Sequence, residues 1–112
     1  MSNSIHATAS VSPQANVQEF VFIGPFTSVA PGAEIGESTR IGSHVIIDSR
    51  VRIGERCVIG HGVIITNEAY IGDDVQIGPG CTIVGVQVPD KAKIEPGMLV
   101  TDETAAVILR GM

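Results

Sequence analysis

Three histidines, His6, His44 and His61, carry the imidazole chemistry of this chain. An imidazole near neutral pH can take a proton from a hydroxyl or an amine, donate a hydrogen bond to a substrate, or ligate a metal. His44 and His61 are 17 residues apart, so only a fold that returns on itself at about that interval makes them neighbours. Asn67, in Ile64-Ile65-Thr66-Asn67-Glu68, adds an amide that can read a polar acceptor or simply turn the chain. Glu19, Glu37, Glu55 and Asp73 recur at 18-residue intervals. Such a column is either a cation site or a solvated edge, and screening favours the solvated edge.

The intervals that matter for this chemistry come from a repeat. Counting by sixes from Ile5 to Ile83 meets only isoleucine and valine, fourteen times. A period this strict requires stacked units that bury their apolar positions against one another. The second position of the hexad is Gly in seven cases, and the third holds Pro13, Pro25, Pro31 and Pro79, which together predict corners at those positions. The fifth position is small or β-branched until Gln87 breaks the rule. Fifth and first positions are two apart, so both point inward from a short strand. Three hexads close a triangle, one coil is 18 residues, and coils stack at about 4.8 Å. Residues 18 apart then lie one above another, which sets His44 and His61 on neighbouring coils beside one corner.

Beyond Ile83 the register slips: Val88, Ile94 and Val100 restore the step of six after one residue is lost in Gly85-Val86-Gln87. The segment 101–111 reads as a helix with Asp102 as N-cap and Gly111 past its end, or equally as a strand. Either caps the last coil, which otherwise leaves an open parallel edge. The expectation is a single domain over 1–112, with regular repeats over 5–87 and slipped repeats plus a cap over 88–112.

Composition excludes some functions. The net charge is −5, from 7 basic and 12 acidic side chains, which argues against a nucleic-acid-binding surface. No apolar stretch is long enough to span a bilayer, and the first residues, with no cationic region and no apolar run, do not read as a signal peptide. Cys57 and Cys81 fall at inward positions on different faces, too far apart to bond, and buried free thiols predict a reducing, cytoplasmic setting.

With its [LIV]-[GAED]-x-x-[STAV]-x pattern, the chain resembles the hexapeptide-repeat acyltransferase superfamily over residues 5 to about 87. Ile5-His6-Ala7-Thr8-Ala9, Ile23-Gly24-Pro25-Phe26 and Ser43-His44-Val45-Ile46-Ile47 resemble the first coils of the UDP-N-acetylglucosamine acyltransferases of lipid A synthesis. The resemblance implies an all-β, left-handed parallel β-helix of about five to six coils, assembled as a homotrimer. It implies transfer of an acyl group from an acyl-CoA or acyl-carrier-protein thioester, with no tightly bound cofactor, to a sugar, nucleotide-sugar or amine. In such enzymes a histidine at the subunit seam is the general base, which makes His61 and His44 the catalytic candidates and His6 a remote third. Asn67 resembles an asparagine that contacts the acceptor in nucleotide-sugar N-acyltransferases of this fold. The interface is expected at Ile46 and Ile64, apolar yet outward, with Val58 just before the same corner.

The chain also departs from these enzymes. No loop interrupts the repeat between residues 5 and 83, and the lipid A enzyme's catalytic histidine and helical domain lie beyond the matched part. Two other classes stay open. A non-catalytic β-helical trimerisation module fits the unbroken repeat. A γ-class carbonic-anhydrase-like zinc site could form across the seam, although the His-x-x-x-x-His pair of that class is absent and no metal ligand is assigned. Glu34 and Arg52, 18 apart, are expected to pair.

Overall fold

In the computed structural model, which describes residues 2–109, the chain is a left-handed parallel β-helix measuring 37 × 21 × 19 Å. It has two sheets of six strands and one of five. The first sheet stacks Ser4–Ile5, Phe22–Ile23, Arg40–Ile41, Val58–Ile59, Gln76–Ile77 and Lys93–Ile94. The second stacks Ser10–Val11, Ser28–Val29, Ile46–Ile47, Ile64–Thr66, Thr82–Val84 and Leu99–Val100. The third stacks Asn16–Val17, Glu34–Ile35, Arg52–Ile53, Tyr70–Ile71 and Gln87–Val88. Partners such as Ile23↔Ile41 and Ile47↔Ile65 are 18 residues apart, while Ile71↔Val88 and Gln76↔Lys93 are 17 apart. The lost residue is where the hexad count places it. Val86, rather than Gln87, takes the inward place above Ala69, and Gln87 is the outward strand residue.

The core is the expected column of aliphatics from Ile23 upward, with inward Val45, Val51, Val63 and Val75 between. The first coil is different. Ile5 is 43% exposed and Val11 and Val17 are only half-buried, because no described coil lies beneath them. Buried fifth-position side chains do more than fill space. Thr27 and Thr39 donate to the carbonyls of Gly42 and Gly54 at 2.7 and 2.8 Å, and the Cys57 and Cys81 thiols donate to those of Gly72 and Glu95 at 3.0 Å. Each answers a corner carbonyl that the sheet ladders miss. Burial pushes the Cys57 thiol above its ordinary pKa, so it remains a donor. Both cysteines are unbonded.

The corners bend one residue later than Gly and Pro suggest. Phe20, Phe26, Ser38, His44, Arg50, Arg56, Gly62, Glu68, Asp74 and Gly80, all fourth-position residues, have positive φ. The second-position glycine serves coil stacking instead. A Cβ on Gly36 would lie 2.5 Å from the carbonyl carbon of Gly54 on the next coil.

The tail is a helix, Asp102–Ile108. Its N-cap is Thr101, not Asp102: the Thr101 hydroxyl accepts from the Glu103 N–H at 3.2 Å, and the Thr101 N–H donates to the Thr104 hydroxyl at 2.8 Å. Asp102 sits in the first turn, where a negative charge also suits the helix end. Ala105, Ile108 and Leu109 pack on the last core layer. Gly111 lies outside the described residues.

Candidate functional site

The corner between the first and second sheets gathers the two candidate histidines. Its third-position column runs Pro25, Ser43, His61, Pro79, and its fourth-position column runs Phe26, His44, Gly62, Gly80. Rungs of backbone hydrogen bonds tie the columns: His44 N–H to Pro25 C=O at 3.0 Å, Gly62 N–H to Ser43 C=O at 2.9 Å, and Gly80 N–H to His61 C=O at 2.9 Å.

The His61 ring is seated by the coil below. Its Nδ1 accepts from the Ser43 N–H at 2.9 Å and lies 3.1 Å from the Ser43 hydroxyl. A backbone N–H can only donate, so Nδ1 presents its lone pair and the neutral ring carries its proton on Nε2. His61 therefore offers a donor at Nε2. Gly42 makes room for this seat, since a Cβ there would fall 2.6 Å from Nδ1. His44 is held otherwise. Its backbone is left-handed, with φ 58°, and its ring lies 5.2 Å from that of Phe26, tilted by 31°. No described residue hydrogen-bonds to either ring nitrogen of His44. Two imidazoles thus share one corner, one fixed as a donor and one with both nitrogens available.

Apolar side chains flank the corner. Ile46 on the second sheet and Val58 on the first are both 47% exposed, and Ile64, partnered with Ile46, is half-buried. A groove of about 210 Å³ on the first sheet runs up to His61, lined by Phe22, Arg40, Val58 and Gly60 among others.

Asn67 is elsewhere, at the corner between the second and third sheets, across the second sheet from the histidines. One chain does not bring them together. Asn67 and Glu68 are consecutive left-handed residues, with φ 59° and 57°. Beside them the Thr66 hydroxyl donates to Asp48 at 2.7 Å and Arg50 reaches Glu68 at 3.4 Å. His6 is exposed and bonds only locally, with Nδ1 2.8 Å from the Thr8 hydroxyl.

The acidic column occupies the third corner and is engaged internally. Asp73 accepts from the Glu55 N–H at 2.8 Å and Asp90 from the Asp73 N–H at 2.7 Å. Arg56 bridges Glu55 and Asp74, each at 2.9 Å, which holds the Asp74 carboxyl below the usual carboxylate range and the guanidinium above its own. Arg40 lies apart from this column, on the first sheet over Phe22. The Glu34–Arg52 pair forms as expected, at 3.5 Å. Among the described residues of one chain, no three His, Cys, Asp or Glu side chains converge as a metal site. No described helix is long and apolar enough to cross a membrane.

Sequence reasoning missed Ser43, Gly42 and Phe26. The same arithmetic finds two of them: His61 minus 18 is Ser43, and His44 minus 18 is Phe26.

Comparison with known proteins places these features in context. Models of the bacterial transferase hexapeptide (six repeats) match residues 14–49 and 50–85. Models of the hexapeptide repeat of succinyl-transferase match 32–67 and 69–102. No curated protein matches the sequence. A mutant of perosamine N-acetyltransferase from Caulobacter crescentus, solved with CoA and GDP-perosamine, aligns at 26% identity and TM-score 0.62 over 88% of this chain and 48% of its own. A second mutant of that enzyme aligns at 24% identity and TM-score 0.50, over 83% and 52%. LpxA from Acinetobacter baumannii aligns at 19% identity and TM-score 0.48, over 85% and 54%. The chain thus spans about half the length of each of these structures.

Proposed function

We propose, since this chain belongs to the bacterial transferase hexapeptide family, that it transfers an acyl group from a CoA or acyl-carrier-protein thioester to a sugar, nucleotide-sugar or amine acceptor. The observation that carries this reading is the pair of imidazoles at one corner, with Nε2–H of His61 and both nitrogens of His44 unengaged among the described residues. In this scheme His44 takes the proton from the acceptor hydroxyl or amine. The acceptor attacks the thioester carbonyl, the C–S bond breaks, and the departing thiolate takes the proton that His44 removed. His61, with Nδ1 held by Ser43, donates from Nε2 to the acceptor and holds it beside His44.

The chain does this as a homotrimer in the reducing cytoplasm. The second sheet supports the assembly. Its outward residues, Ser10, Ser28, Ile46, Ile64, Thr82 and Leu99, carry no charge, whereas the first sheet bears Arg40 and Lys93 and the third Glu34 and Arg52. Three copies with this sheet turned toward a common axis set the histidine corner of each beside the next copy's other edge. Asn67 of the partner subunit then meets His44 and His61 at the seam, where it contacts the acceptor.

A second reading, a non-catalytic trimerisation module, draws on one observation: no loop leaves any corner between the first and last coils to enclose a substrate. Release of CoA from acetyl-CoA, with amino-sugar nucleotides as acceptors, separates the two. Acceptor-dependent release that disappears in His44→Ala is the expected result. Release unchanged in both His44→Ala and His61→Ala would remove this corner from the chemistry, and none with any thioester would leave the module.

A further inference from the structure

Four arginines lie among the described residues, and three face carboxylates. Arg50 reaches Glu68 at 3.4 Å, Arg52 reaches Glu34 at 3.5 Å, and Arg56 holds Glu55 and Asp74 at 2.9 Å each. Arg40 has no acidic partner among the described residues. Its guanidinium lies over the ring of Phe22, 5.4 Å from the centroid, with the two residues paired in register on neighbouring coils. A cation–π contact uses none of the guanidinium N–H groups in a hydrogen bond, which leaves its paired donors for a planar partner.

The setting sharpens this. Arg40 and His61 line the same groove, whose remaining lining is Phe22, Val58, glycine and isoleucine backbone and side chains, with no carboxylate. His61 presents a donor there, because Ser43 holds its Nδ1. On a chain of net charge −5, an acid-free groove with an unpaired cation runs against the surface around it. An apolar floor also lowers the competition from water for any ion pair formed against it.

We infer that this first-sheet groove binds a carboxylate or phosphate group, held by the N–H edge of Arg40 and by Nε2–H of His61. Two oxygens of such a group match the paired donors of a guanidinium, which a point charge does not. Combined with the acyl-transfer reading, on which this last step rests, the groove selects an acceptor that is anionic close to the atom being acylated.

The test uses the assembled full chain and reads side-chain signals of Arg40 and His61 by nuclear magnetic resonance. Inorganic phosphate and acetate are titrated separately at constant ionic strength. Saturable shifts at both residues are expected, and the anion that saturates at lower concentration names the group. Arg40→Gln is expected to weaken binding roughly ten- to hundredfold. Arg40→Lys keeps the charge but not the paired donors and falls between the two, while Arg50→Gln changes nothing. No saturable shift with either anion, or equal affinity in Arg40→Gln, overturns the inference and leaves the acyl-transfer reading intact. Saturable binding in a protein that transfers no acyl group upholds the groove and removes that reading. Transfer with an unchanged KM for anionic acceptors in Arg40→Gln removes the acceptor assignment alone.

Discussion

The histidine corner and the acidic corner are built alike and are left in opposite chemical states. In both, a third-position side chain accepts the backbone N–H of the coil below: His61 from Ser43 at 2.9 Å, Asp73 from Glu55 at 2.8 Å, Asp90 from Asp73 at 2.7 Å. At the acidic corner the fourth position then closes the network, because Arg56 joins Glu55 to Asp74. At the histidine corner the fourth position is His44, whose ring rests on Phe26 and makes no polar bond within the described chain. The same tie between coils serves purely as structure at one corner, and at the other it orients a group whose second nitrogen faces outward. A residue's position in this repeat fixes its contacts along the rod. Only its neighbour one place on decides whether anything is left for a ligand.

Four tests bear on that contrast, beginning with the largest effect. His44→Ala is expected to lower acyl transfer by about 10²–10⁴-fold, while Asp73→Ala leaves turnover unchanged. A steady-state comparison of the two decides whether the corners differ in function. Next, Ile46→Glu with Ile64→Glu is expected to convert the proposed trimer to a folded monomer, and Glu37→Ala at the acidic corner to leave the mass as it was. Light scattering reads both, and an intact trimer in the double variant would put the interface on another face. Gly36→Ala, on the acidic edge, forces a Cβ to 2.5 Å from the Gly54 carbonyl carbon and is expected to cost about 1–3 kcal/mol. Chemical denaturation measures that loss, which should occur without any change at the histidine corner.

The smallest effect concerns pH. The hydrogen bonds and charge of Arg56 hold the Asp74 carboxyl below its ordinary range. A carboxyl more acidic in the folded state stabilises it above the ordinary carboxylate range, and that contribution disappears as pH falls through the lowered value. Asp74→Asn should therefore flatten the acid side of the thermal-midpoint profile and leave the neutral side nearly unmoved. An unaltered acid limb would mean that the exposed network is too screened to matter.

Much of the fold was legible because one period governs it. The inward column from Ile23 to Ile83, the step of 18, and the single lost residue near Gly85 all follow from counting, since apolar positions bury only if coils stack in register. The left-handed residues were not legible. Phe20, Arg50 and Arg56 are poor local turn formers, and the stacked coils impose that conformation on them. Ile5, Val11 and Val17 obey the period but lack a described coil beneath, and the period alone does not register that difference in burial. At the site, the nearness of His44 and His61 was arithmetic. The tautomer of His61 depends on one backbone N–H, and the separation of Asn67 on which sheet edge it occupies; neither has a composition signature. Arg40 is close to Glu37 in sequence, yet the 18-residue step sets it beside Phe22 on the first sheet.

The slip from 18 to 17 residues has a consequence for how such a molecule can change. A residue was lost between two strands, at Gly85 with φ 65°, and every layer above it still meshes with the one below. Corners absorb changes in chain length, and strands do not. The molecule therefore behaves like a graduated rule with slack only at its edges. Insertions and deletions there reshape what the surface presents, while whole graduations of about 4.8 Å carry an intact cluster of side chains up or down the rod.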